Sequence, residues 1–300
     1  MAERSAWQRR ITQIVRPIEA AVVHGMFVLL RLIPVGAASA IGGAIGRTIG
    51  PLIGVTRRAR KNLRNAFPEK SPAEIEAIIR EMWENLGRVV AEYPNLPRLN
   101  AFTPDARIEV RGTEHVETGR ARGKPLIFFA GHLANWEVSA IAAKAFGVPL
   151  HLIYRPANNP WVEEIFKEGR AGIAAGLIPK GAEGARQAVR VLREGGQLGI
   201  LIDQKMNDGI PVPFFGRDAM TAPALARLAF KFDCTVLPTQ VERLDGARFR
   251  LTVHPPLPLT RSDDLQADTH ALMVQANRHL ESWIRERPGQ WLWLHRRWPD

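Results

Sequence analysis

His132 and Glu137 stand five positions apart in the segment Phe128-Phe-Ala-Gly-His-Leu-Ala-Asn-Trp-Glu137. A histidine is the side chain best suited to move a proton near neutral pH, and a carboxylate near its other ring nitrogen fixes the tautomer and stabilises the charged form. Five helical residues rotate by about 500°, which would leave two such side chains roughly 140° apart. The pair can meet only if His132 sits in a turn and Glu137 in the first turn of a helix. The apolar run Pro125–Ala130 reads as a buried strand, Gly131 allows a sharp exit, and Asn135–Lys144 reads as a helix. His132 is then expected at the carboxyl end of a strand, the edge where open α/β sheets bind ligands.

Other residues of similar promise end neighbouring apolar runs. Tyr154-Arg155 closes one, and Arg155 could hold a phosphate through paired hydrogen bonds or lie free on the surface. Leu201-Ile-Asp203-Gln204 closes another and would bring a carboxylate and an amide to the same edge. Gly209–Gly216 reads as a loop exposing Phe214 and Phe215, either packed locally or lining an apolar groove. Thr221 reads as a helix cap. No G-x-S-x-G elbow, H-E-x-x-H pair or dinucleotide glycine fingerprint is present, and no His/Asp/Glu group has metal-ligand spacing. Gly119-Arg-Ala-Arg-Gly123 is one residue short of a phosphate loop. A His–Glu pair without a protein nucleophile suits direct transfer to an external hydroxyl.

Stepping along the chain from residue 107, strands are expected at 107–110, 125–130, 149–154, 176–179, 197–202, 235–241 and 248–254. Helices are expected at 135–146, 160–170, 183–194, 221–232 and 265–286. This alternation predicts an α/β fold with a largely parallel central sheet flanked by helices. Ser71-Pro-Ala-Glu74 carries a helix start, with Ser as N-cap and Glu at the third position, leading a helix to about Ala91.

Three hundred residues with 46% hydrophobic content suffice for a large core without disulfides, and the single Cys234 excludes an internal one. A net charge of +11 and an isoelectric point near 10.6 favour polyanionic partners. No nucleic-acid-binding signature accompanies the charge, so nucleic acid is not an expected partner. Arg4, Arg9 and Arg10 precede an apolar core, Ile18–Leu30, that is too short for a span and holds Glu19 and His24. A glycine-rich apolar stretch, Val35–Val55, follows and includes Gly46-Arg-Thr-Ile-Gly50, a spacing that allows close helix packing. Residues 1–55 are therefore expected to form membrane-associated helices lying in the bilayer plane, or else to cover the sheet, ahead of a catalytic domain over 56–300. The basic run Arg57–Arg64 suits an anionic membrane.

Taken together, these segments resemble one family. Gly131-His-Leu-Ala-Asn-Trp-Glu137 is similar to the H-x4-E motif of the lipid A biosynthesis late acyltransferases, within the lysophospholipid acyltransferase superfamily. Asn62-Leu63 with Ala66-Phe-Pro-Glu69, Tyr154-Arg155, Asp203-Gln204 with Val212–Gly216 and Thr221, and Gln290-Trp-Leu-Trp-Leu-His-Arg-Arg-Trp298 recur in order. The resemblance implies an acyltransferase that uses no metal or cofactor. It would move a fatty acyl chain from a thioester, on acyl carrier protein or coenzyme A, to a hydroxyl of a membrane glycolipid at the cytoplasmic face of the inner membrane. In that reading His132 is the general base and Glu137 its partner, Arg155 holds a phosphate, and Asp203 and Gln204 shape the polar end of the site. Phe214 and Phe215 would lie near the acyl chain, while Trp291, Trp293 and Trp298 would be interfacial anchors or core. Other acceptors (a phosphatidylinositol mannoside, an ornithine lipid, a lysophospholipid), thioester hydrolysis and a non-enzymatic binding module stay open at this stage.

Overall fold

The computed structural model describes residues 6–298, with side chains from residue 15 onward. Arg4 and the side chains of Arg9 and Arg10 lie outside the described residues. The chain begins with helices α1 (Ala6–Arg31), α2 (Val35–Ile49), α3 (Thr56–Ala66) and α4 (Pro72–Glu92). The start of α4 follows the sequence signal: Ser71 accepts from the Glu74 N–H while the Glu74 carboxylate accepts from the Ser71 N–H.

Strand and helix then alternate as β1 (Ile108–Arg111), α5 (Thr113–Ala121), β2 (Leu126–Ala130), α6 (Val138–Ala145), β3 (Leu150–Tyr154), α7 (Pro160–Arg170), β4 (Gly176–Pro179), α8 (Ala182–Arg193) and β5 (Gln197–Leu201). After β6 (Lys205–Phe214) and β7 (Arg217–Thr221) come α9 (Ala224–Phe232), β8 (Thr235–Asp245), β9 (Arg248–Val253) and α10 (Leu265–Glu286). Seven strands form one sheet in the order β1-β9-β8-β2-β5-β3-β4. All neighbours in it run parallel except β8 and β9. The α/β fold with a mostly parallel sheet is thus as the sequence predicts.

Alternation along the central strand divides the core between the two faces of the sheet. Ile127 and Phe129 point into a cluster with α3, α4, α9, α10 and the carboxyl-terminal tryptophans, whereas Leu126 and Phe128 point toward α5 and α6. Every residue of β2 is buried, which explains its unbroken apolar sequence.

Two expectations fail locally. Residues 205–221 form an antiparallel hairpin, β6–β7, where the sequence pattern predicts a polar stretch and a loop. Thr221 ends β7 and donates to the Ala219 carbonyl, and the helix begins only after Pro223. A residue ahead of proline is steered away from helical geometry, which delays the start.

At the amino end, α2 lies along α4. A Cβ at Gly42 would collide with the Gly87 carbonyl, one at Gly87 with the Gly42 carbonyl, and one at Gly46 with the Trp83 carbonyl. The small-residue stripe therefore brings two helix backbones together inside the protein. No single helix among the described residues is long and apolar enough to cross a membrane. The basic α3 is partly committed to the fold: Arg60 pairs with Glu76, and Arg58 donates to the Leu294 carbonyl.

Since overpacked interfaces cost about 1–3 kcal/mol, Gly87→Val is expected to lower the thermal midpoint by several degrees and to make α2 cleavable by limited proteolysis. An unchanged midpoint would show that the two backbones do not approach as described.

Candidate active site

The site forms because β2 and β5 are neighbours in register. Ala130 pairs with Leu201, so the residues two positions further on, His132 and Asp203, leave the sheet side by side. Asp203 is fully buried. One carboxylate oxygen accepts from His132 Nδ1 at 2.7 Å, and the other accepts from the His132 backbone N–H and from Trp291 Nε1, each at 2.8 Å. Burial opposes ionisation of this carboxyl, but the charge and hydrogen bonds of His132, with His295 nearby, hold it well below the usual carboxylate range. An ionised Asp203 fixes the proton of His132 on Nδ1 and leaves the Nε2 lone pair free to act as a base. A Cβ at Gly131 would sit tightly against Leu280, Leu133 and Asp203.

Glu137 does not partner His132, contrary to the sequence expectation. Its carboxylate is gripped by Arg170 at 2.6 and 3.0 Å and accepts from Trp136 Nε1 at 3.1 Å. Arg170 is sandwiched between the rings of Tyr93 and Tyr154. Glu137 therefore ties the first turn before α6 to the end of α7, and Trp136 in turn packs edge-on against the His132 ring at 4.9 Å. The physical reason is direction: Glu137 enters α6 facing α7, while the Nδ1 side of His132 faces β5.

The carboxyl-terminal segment closes the back of the site. Leu133 bridges to Trp291, and the Ala134 N–H donates to the Gln290 carbonyl. Ala134 takes a positive φ of 49°, a turn that this tail bonding holds in place. Asn62 donates to the carbonyls of Trp293 and His295, and Arg297 donates to Thr221 Oγ1 and the Met220 carbonyl. Trp291 and Trp293 are completely buried and Trp298 nearly so, which makes them core and not interfacial anchors. Phe214 and Phe215 are buried among these tryptophans on that same face of the sheet, away from the cleft wall. Their exposed appearance in sequence came from the unrecognised hairpin.

His295 lies 5.0 Å from His132, ring to ring, and burial followed by the His132 charge pushes it down to about 4. It is neutral near pH 7, and its Nε2 is buried without a hydrogen-bond partner. His132, Asp203 and His295 bring ligand-type atoms within 4.8 Å of one another, the size of a metal site. However, both Asp203 oxygens already accept hydrogen bonds, and His132 Nδ1 carries the proton that one of them accepts. In this arrangement the trio is already joined by a proton-sharing contact between His132 and Asp203.

In front of His132 opens a cleft of about 210 Å³. It runs between the sheet and α6, whose Ala140, Ala142 and Ala143 leave room above Phe128, Leu150 and Gly199. Most of its wall is apolar. His132, Tyr154, Arg155, Lys180 and Gln204 line it at the carboxyl edge of the sheet, and Glu137 and Arg170 line it as well. Burial and a hydrogen bond to Glu163 push the Tyr154 hydroxyl up to about 12. Arg155 and Gln204 are thus brought to the same edge as His132 and Asp203. Lys180, which the sequence reading did not single out, donates to Gln204 Oε1 at 2.8 Å. A proton acceptor at the head of a long apolar slot, with cations at the rim, can activate a hydroxyl beside a bound acyl chain.

The sequence profile described as bacterial lipid A biosynthesis acyltransferase matches residues 6–300. A lipid A biosynthesis acyltransferase of Haemophilus influenzae is 26% identical over 276 residues, covering 90% of this chain and 85% of that protein. The lipid A biosynthesis myristoyltransferase of Escherichia coli K12 is 28% identical over 242 residues, covering 79% and 73%, and the lauroyltransferase of the same organism is 27% identical over 254 residues, covering 80% and 79%. With a profile match across nearly its whole length, this chain belongs to the bacterial lipid A biosynthesis acyltransferase family and is an enzyme that transfers acyl groups.

Proposed function

We propose that the protein transfers a fatty acyl chain from an acyl thioester, carried on acyl carrier protein, to a hydroxyl of a lipid A precursor. The observation that carries this reading is the His132–Asp203 pair at the head of the apolar cleft. His132 Nε2 removes the acceptor's hydroxyl proton as that oxygen attacks the thioester carbonyl. Asp203 holds the imidazole and stabilises its charged form, the role a buried acid plays beside a catalytic histidine. Glu137 keeps the His132 loop in place through Trp136 and Arg170. The alanine-lined cleft receives the acyl chain, and Arg155 at the rim takes a phosphate of the acceptor or of the donor's pantetheine arm. The acidic carrier suits a chain of net charge +11.

Work on a lipid acceptor calls for a membrane surface, and α1 and α2 offer one. Val22, Leu29 and Leu32 are 66%, 68% and 76% exposed, and Ile41, Ile45 and Ile49 follow at helical spacing. Trp161, at the start of α7 against α1, is 63% exposed. An apolar face of this kind marks a lipid or protein contact. In this reading it rests in the cytoplasmic leaflet of the inner membrane, with the basic side of α3 toward anionic headgroups.

His132→Ala is expected to abolish the gain of one acyl chain by a tetra-acylated lipid A precursor, read by mass spectrometry with lauroyl- or myristoyl-carrier protein as donor. Turnover at the wild-type rate would refute the assignment of the base. The double substitution Leu29→Asp/Leu32→Asp is expected to reduce flotation with anionic vesicles by about tenfold or more while His132→Ala floats normally. Equal flotation of all three proteins would rule out this face as the membrane contact.

A further inference from the structure

The attack on a thioester carbonyl builds negative charge on its oxygen, and something must donate hydrogen bonds to it. The backbone N–H groups nearest the imidazole are already spent: His132 N–H on Asp203, Leu133 N–H on the Gly131 carbonyl, and Ala134 N–H on the Gln290 carbonyl. None of these three N–H groups can serve, which leaves the side chains around the imidazole as candidates. Gln204 is the one placed for it, its amide nitrogen lying 3.4 Å from His132 Nε2.

The orientation of that amide is fixed chemically. A lysine ammonium can only donate, so the Gln204 atom 2.8 Å from Lys180 Nζ is the carbonyl oxygen, and the NH2 group faces His132. His132 in turn carries its proton on Nδ1, toward Asp203, and presents a lone pair at Nε2. All the donors in the row therefore point one way, from Lys180 to Gln204, from Gln204 to His132, and from His132 to Asp203. Lys180 reaches Gln204 from across the sheet: it follows β4, whose Pro179 is paired with Tyr154 of β3, and β3 lies between β4 and β5. Desolvation at the crowded mouth lowers the Lys180 pKa, the Asp203 charge opposes this, and Arg155 adds to the lowering.

We infer that Gln204 is the oxyanion donor of the transfer and that Lys180 is the positioning residue that aims its amide. The inference rests on the acyl-transfer reading above. At rest the amide caps Nε2 through a long hydrogen bond that an incoming hydroxyl can displace. When the hydroxyl binds at Nε2, its oxygen attacks the carbonyl carbon and its proton passes to Nε2. The carbonyl π pair moves to oxygen, where the displaced Gln204 N–H donates to it. Collapse restores the carbonyl, breaks the carbon–sulfur bond, and returns the proton from Nε2 to the departing thiolate, leaving an ester and a free thiol.

The test is a double-mutant cycle with purified protein, lauroyl-carrier protein and the tetra-acylated precursor, measuring kcat and KM for the donor. Gln204→Ala should lower kcat about 10²–10³-fold, the usual loss for one oxyanion donor, with KM changed less than about threefold. Lys180→Met should lower kcat about tenfold, Lys180→Arg should recover most of that, and Lys180→Met should add nothing once Gln204 is alanine. Losses that multiply in the double mutant, or a Lys180→Met effect confined to KM, would overturn the inference and make Lys180 a substrate contact instead. An inactive wild type would instead speak against the proposed acceptor, and the cycle is then run on whichever acceptor the wild type acylates.

Discussion

One buried carboxylate organises this protein. Asp203 has no access to water, and the three donors that keep it ionised come from two distant parts of the chain, the turn after β2 and the carboxyl-terminal tail. A charge buried in this way is tolerated only when its hydrogen bonds are complete. The register of β2 against β5 and the placing of the reactive histidine consequently depend on the same contacts. The carboxyl-terminal segment from Gln290 holds the turn after β2 through Leu133 and Ala134, and is itself held to α3 through Asn62.

The sheet divides two incompatible tasks between its faces. One face is filled by α3, α4, α10 and a cluster of tryptophan and phenylalanine rings, with Arg297 buried against Phe214. On the other, the alanines of α6 line an apolar slot that opens in front of His132. His132 stands where the two meet. Its Nδ1 side is bonded to the closed interior through Asp203 and its Nε2 side faces the open cleft, so a static tautomer preference becomes a direction for proton flow.

Much of this was legible in the sequence, and the failures have a common cause. The central strand β2 is a continuous apolar run and the outer strands β1 and β9 alternate apolar with polar residues, so all seven strands of the main sheet could be read, as could the capping box of α4. The β6–β7 hairpin escaped because Gly209, Pro211 and Pro213 argue against a strand. In a two-stranded ribbon both strands are edges, where proline is tolerated. His132, Asp203, Gln204 and Arg155 could each be placed at the carboxyl edge of the sheet. What the sequence could not show is that β2 and β5 are neighbours, so the nearby Glu137 was preferred over Asp203, 71 residues away. Lys180 gave no local signal, since its meaning depends on an amide two strands away. The tryptophan tail was ambiguous for the same reason: alternating Trp and Arg fits an interface or a core until its partners are known.

The central claim is that Asp203, and not Glu137, controls the proton of His132. The direct measurement compares kcat and the ¹⁵N tautomer signature of His132 in Asp203→Asn and Glu137→Gln. The account predicts that Asp203→Asn loses the Nδ1–H form and that kcat falls by about 10²–10⁴-fold, on the scale of losing an orienting acid. Glu137→Gln should keep the tautomer and lose activity only as far as the loop loosens. A tautomer that survives in Asp203→Asn and shifts in Glu137→Gln would contradict the account and restore the nearer carboxylate to the role that the sequence first suggested.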